Sequence, residues 1–248
     1  VWLTQAGAWA LSAAAFRAVV WVSIVPAGLA VLVLALGARE TAVTPTNTAP
    51  RLTWHSLDRR LRRFVLVLGL FTLGNSADAF LVLRAQERGL GVMGILGMLA
   101  TFNLVYALLS GPLGALSDRI GRRRVIGGGW LVYALLYLGF ALAETAVHIW
   151  LLYALYGVYY AAVEGTAKAY VADLAGAAQR GTAFGWYHAV VGVAALPASL
   201  LAGVLWQGAG AWPGFGPAAP FLFGAALAGT AVVLFRWWVP AAAVGPAA

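Results

Sequence analysis

Gly114-Ala-Leu-Ser-Asp118-Arg119-Ile-Gly121-Arg122-Arg123-Arg124 holds five charged residues within the seven positions 118 to 124. The stretches on either side, Gly89 to Ser117 and Val125 to Ala143, hold none. About 20 apolar residues at ~1.5 Å per residue cross ~30 Å of hydrocarbon, so each flank predicts a transmembrane helix and the charged stretch a short loop between them. Working outward, Ala18 to Gly37, Phe64 to Leu83 and Val147 to Ala172 predict further spans. Gly181 to Phe235 predicts two more, divided by the Gly, Pro and Trp cluster of Trp206 to Pro220. The fold class expected is an all-α integral membrane protein with seven spans and no sheet.

Composition agrees. The 248 residues are 62% hydrophobic and 10% charged, with a mean hydropathy of +0.86, so a soluble fold would leave most of its surface apolar. Cysteine is absent, which excludes disulfides, thiolate metal sites and cysteine nucleophiles. The net charge of +8 would suggest nucleic acid in a soluble chain, but here it reports topology. Arg39, Arg51, Arg59, Arg60, Arg62, Arg63, Arg119, Arg122, Arg123, Arg124, Arg180 and Arg236 fall on one side of the predicted membrane, 12 in all. The other side holds 3, Arg17, Arg84 and Arg88, and Lys168 lies within a span. The positive-inside rule then puts the 118 to 124 and 173 to 180 loops and the C-terminus in the cytosol. Trp21, Trp150, Trp206 and Trp212 near one boundary and Trp54, Trp186, Trp237 and Trp238 near the other read as interfacial anchors.

The chain starts at Val1 with no basic n-region, and residues 1 to 14 read as the end of a truncated helix rather than a signal peptide. The polar segment 38–62, Thr-Pro-rich and closing on Ser56-Leu-Asp-Arg-Arg-Leu-Arg-Arg, reads as a flexible linker ending in a basic juxtamembrane helix. It divides the chain into residues 1–37 with one full span, a six-span bundle over 63–239 and a tail over 240–248.

The spacing G-x-L-x-D-R-x-G-R-R from Gly114 to Arg123 resembles the signature loop of the major facilitator superfamily of secondary transporters, which that family carries after its second helix and often again after its eighth. Gly114 is expected to let two helices approach closely, Gly121 to permit the tight turn, and Asp118 to face a helix N-terminus or an arginine. Arg119, Arg122 and Arg123 hold the loop in the cytosol. Ile24-Val-Pro26-Ala-Gly looks like part of the family's sixth helix. Asp173 to Gly185, with Arg180, resembles its connection between the tenth and eleventh helices. The resemblance implies the C-terminal half of such a transporter, sixth helix to twelfth, with the N-terminal bundle as the missing partner. It also implies two bundles rocking about a midplane site, with Asp118 and Arg180 contributing to cytosolic closure.

In that family the seventh and tenth helices line the central cavity from this half, which points to the spans 64–83 and 147–172. Along the latter, Tyr153, Gly157, Tyr160, Glu164 and Lys168 recur at helical spacing on one face, with Tyr156 adjacent. That face suits a cavity better than lipid tails. Alternatively, Glu164 and Lys168 at i and i+4 only neutralise each other and the tyrosines only pack. Asn75 and Asp78 lie toward the outer half of the earlier span. A carboxylate there must be protonated, paired or wetted, which makes Asp78 a proton-site candidate; the other reading is an interfacial Asp beside Arg84 or Arg88. Asn103 and Tyr106 share a face that reaches the cavity or bonds to a neighbouring helix. His188 reads as a hydrogen-bonded packing residue or a proton relay.

No H-E-x-x-H, G-x-S-x-G or G-x-x-x-x-G-K-[ST] pattern occurs, and the three histidines are scattered across both sides. Neither an enzyme nor a metal site nor a cofactor is expected, and the only intramembrane lysine stands in the wrong span for a retinal protein. The function implied is secondary active transport of a small solute by alternating access, with protons as a candidate coupling ion and export favoured over import. The expected location is a bacterial inner (plasma) membrane, with lipid and solute, but no nucleic acid, as partners. The competing class is a non-transporting membrane bundle.

Overall fold

The charged turn that organises the sequence is one residue long in space. Helix α4 (Val92–Ile120) and helix α5 (Arg122–Leu142) meet at Gly121, whose φ of +96° lies where an L side chain is strained. The structure, a computed structural model, describes residues 13–37, 53–176 and 179–240. The expected helix end at residues 1–12, the linker segment 38–52 with Arg39 and Arg51, and the tail 241–248 lie outside the described residues. The other elements are α1 (Ala13–Gly37), α2 (Arg59–Gly74), α3 (Ala79–Glu87), α6 (Ala146–Leu174), α7 (Arg180–Gln207) and α8 (Ala219–Trp238). Among the described residues seven stretches are helical, long and apolar enough to cross a membrane, α2 and α3 together making one of them.

Local chemistry sets the ends. Asp58 accepts a hydrogen bond from the backbone N–H of Arg60 at 2.7 Å and caps α2, so the basic run Arg59 to Arg63 forms the first turns of a spanning helix. Thr145 caps α6 through the N–H of His148, and Gly208 closes α7 at φ +82°. The carboxyl ends use arginines instead. Arg123 donates to the carbonyls of Phe235, Arg236 and Val239, and Arg63 donates to that of Trp238, which together satisfy the last turn of α8. Arg84, only 2% exposed, does the same for α5 through the carbonyls of Phe140, Ala141 and Ala143.

Helix α1 falls in one unit, to which residues 91–93 also belong, and the rest of α2 to α8 in a second. In α1 an uncharged run from Ala18 to Gly37 carries Pro26. In the bundle, α5 packs on α6 and α8, and α2 on α7 and α8. Lipid tails are as apolar as leucine, so close packing rather than water exclusion must hold these contacts. The α2–α8 crossing shows how: a Cβ on Gly224 would lie 2.5 Å from the carbonyl oxygen of Gly74, so the two backbones touch. Around it the rings of Phe71 and Trp130 stack at 4.7 Å and those of Tyr133 and Tyr137 at 4.1 Å. Leu104, Leu108, Leu135 and Leu200 point outward and are exposed, as a lipid-facing surface requires.

One expectation fails. The span over 64–83 is not a continuous helix, because α2 ends at Gly74 and α3 begins at Ala79. The four residues between them are Asn75, Ser76, Ala77 and Asp78. Asn75 caps α2 in a non-helical conformation.

Candidate functional site

A helix interrupted within the membrane leaves backbone groups to be satisfied from outside the helix, and here tyrosines supply the bonds. The Tyr133 hydroxyl on α5 donates between the Gly74 carbonyl and Asn75 Oδ1, each at 3.2 Å. The Tyr156 hydroxyl on α6 donates to Asp78 Oδ1 at 3.1 Å. Both tyrosines are fully buried, within an aromatic cluster that also includes Tyr137, Tyr153 and Tyr159. Tyr156 thus bears on the break through Asp78, and Tyr153 packs on Tyr156. Asp78 itself is exposed. Asp78 enters no ion pair among the described residues, and Arg84 is spent on the end of α5 and on Glu87, 2.5 Å away.

Below the break a cavity of about 270 Å³ opens between α2, α5, α6 and α7. Asn75, Tyr160, Glu164, Lys168 and His188 bring polar atoms to its wall, and Phe71 and Trp130 bring rings. Glu164 Oε1 accepts from Lys168 Nζ at 3.0 Å and Oε2 accepts from Tyr106 on α4 at 2.7 Å. The pair thus presents zero net charge while keeping both groups within reach of a solute, since each is about 40% exposed: 43% for Lys168 and 39% for Glu164. His188, for which the sequence offers packing or a proton relay, is exposed on the same wall. An ionisable residue within a predicted span was the signal for it. Asn103 does not join this group; it is exposed and bonds to the Leu99 carbonyl of its own helix at 2.8 Å. An open groove of about 550 Å³ between α2 and α7 is lined almost wholly by apolar side chains and brings no chemistry.

At the motif, Arg122 is the hub. Its guanidinium meets Asp118 at 3.0 Å, Asp173 at 2.6 Å and the Ala169 carbonyl at 2.8 Å. The first turn of α5 is thereby tied to the last turns of α4 and α6. Asp118 does face an arginine, and Asp173, which sequence reasoning had not placed in the site, completes the clamp. Arg180 and Arg119 are exposed and enter no ion pair among the described residues. Gly114 does not serve close approach here: a Cβ on it would meet nothing within 4 Å.

Residues 85–247 match the sequence model of the Major Facilitator Superfamily. The chain belongs to the major facilitator superfamily. An uncharacterized MFS-type transporter of Methanocaldococcus jannaschii is 40% identical over 179 residues, 70% of this chain and 43% of that relative. The match therefore spans less than half the length of that relative. Superfamily membership and seven membrane-crossing segments make this a multi-pass integral membrane protein. They also fit the resemblance drawn from the Gly114 to Arg124 loop.

Proposed function

We propose that this chain supplies the C-terminal bundle, residues 63–239, of a secondary active transporter, joined through the segment 38–62 to the last helix of an N-terminal bundle. The transporter moves a small solute through alternating access in a plasma membrane, with its C-terminus cytosolic and export as the favoured direction. One observation carries the reading: a spanning helix broken at Asn75 to Asp78 beside a cavity that holds Asn75, Glu164, Lys168 and His188. Discontinuous spans at midplane cavities are where transporters hold solutes and coupling ions. Asp78 is the proton site that couples to the solute, because its hydrogen-bond partner is a neutral phenol. The chemistry is binding and conformational exchange, with no bond made or broken in the solute.

The test uses Asn75→Cys in the full-length protein reconstituted in vesicles, with a membrane-impermeant thiol reagent applied to one face at a time. Alternating access predicts modification from both faces. A non-transporting bundle predicts modification from one face or neither, and that result overturns the proposal.

A further inference from the structure

A second cavity, of about 230 Å³, lies between α4 and α6 beside the Arg122 clamp, and no residue lines both it and the central one. Its floor is made of small residues, Gly114 on α4 and Gly165 on α6. Glycines in spanning helices ordinarily let backbones touch, yet a Cβ on either of these would meet nothing within 4 Å. The space is open rather than packed. Thr166 lines it, is only 3% exposed, and its hydroxyl has no hydrogen-bond partner. A buried, unpartnered hydroxyl beside room for several waters is where water is expected. Asp118 and Arg122 stand at the loop end. Tyr106 stands at the deep end, and its hydroxyl bonds to Glu164, which belongs to the central cavity. Ser110 is eight residues, about 12 Å, along α4 from Asp118.

We infer that this crevice is water-filled and carries protons between the motif side of the membrane and Glu164. A hydronium ion in the crevice gives a proton to Tyr106 Oη as the phenol passes its own proton to Glu164 Oε2. The hydronium becomes water, the carboxylate becomes a carboxylic acid, and Tyr106 ends unchanged. Lys168, deprived of its counter-charge, is then left as a cation on the wall of the central cavity. Among the described residues, the ionisable groups around Glu164 are Tyr106 from α4, Tyr159, Tyr160 and Lys168 on α6, and Tyr187 and His188 from α7. Among the residues lining the central cavity, helices α2 and α5 bring no ionisable group, only the polar Thr72, Asn75 and Trp130. At the crevice mouth Asp118 and Arg122 are joined by Asp173 through Arg122. This route is independent of Asp78 and of whether any solute moves.

A single Ser110→Cys in the full-length protein, with any cysteine outside this chain replaced by serine, can be probed in vesicles with an anionic, impermeant methanethiosulfonate. Modification is expected from the face that also modifies Ile120→Cys, and Gly165→Leu, which fills the crevice where a Cβ has room, should slow it at least tenfold. Absence of modification from that face, or a rate indifferent to the leucine, overturns the aqueous crevice; Gly114→Leu serves as the second plug if Gly165→Leu does not fold. The proton step is read by the infrared carboxylic acid band that Glu164→Gln abolishes. After a pH drop on the motif side, that band should grow at least tenfold more slowly in Tyr106→Phe and in the plugged variant. Equal growth rates in all three proteins overturn the proton route even if the crevice proves wet.

Discussion

Asp78 and Glu164 are both carboxylates on the cavity-lining spans, and the structure gives them opposite company. Glu164 accepts from a lysine and a tyrosine, whereas Asp78 accepts from Tyr156. On the proposed function, Asp78, without a fixed cation beside it, is the carboxylate that exchanges its proton as its access changes side. In the full-length protein Asp78→Asn should abolish solute accumulation driven by a pH gradient, by at least tenfold, while leaving solute exchange between the two faces within about threefold. Vesicle uptake of a solute found by thermal-shift screening measures both, and persistent gradient-driven accumulation returns Asp78 to a structural role. Both carboxylates were visible in the sequence because a charge within a span is costly and therefore stands out. The tyrosines that hold the break were less so, since Tyr133 reads like any apolar core residue until Asn75 is seen beside it. Arg84 was counted as one positive charge of a loop, and its three carbonyl partners on α5, 56 to 59 residues later, leave no mark in local sequence.

At the scale of elements, hydropathy predicted every crossing and missed the break in one of them. Asn75-Ser-Ala-Asp78 contains neither proline nor a charge run, so a hydropathy reading continues through it. What stops the helix is tertiary: the Tyr133 and Tyr156 hydroxyls hold it open from α5 and α6, and the Gly74–Gly224 contact pins the end of α2 against α8. The Gly121 turn was legible because only glycine tolerates its backbone angle. The role of Gly114 was not, since one residue type serves both close packing and open space. The Arg122 clamp joins three helix ends, and half-exposed ion pairs of this kind are worth at most about 1 kcal/mol each, a magnitude suited to being broken and remade in a cycle. Asp118→Asn removes one arm and leaves the Asp173 arm in place. Conformational exchange, read as the rate at which Asn75→Cys becomes reactive from the second face, should slow several-fold, with solute affinity changed less than about twofold. Lost affinity with an unchanged exchange rate would contradict the conformational role.

For the whole molecule the strongest constraint in the sequence is the expected division of charge, 12 arginines against 3, and several of those arginines also hold the bundle together. Arg63 and Arg123 close α8, and Arg122 binds α4 to α6, so the motif side is both the electrostatic anchor and the main set of ties between helix ends. The antiparallel order of α4 to α8 requires the turn after α7 to lie on the face opposite the Gly121 turn. Orientation follows if insertion obeys the positive-inside rule: Gly121 faces the cytosol and residues 208–216 face outward. Ile120, next to the Gly121 turn, and Ala211 in the turn after α7 are both exposed. Single cysteines at those two positions, in whole cells expressing the full-length protein, should react oppositely with an impermeant maleimide: Ala211→Cys before lysis and Ile120→Cys only after it. Reaction of both before lysis, or the reverse order, would show that the arginines serve the packing of helix ends without setting the side on which those ends reside.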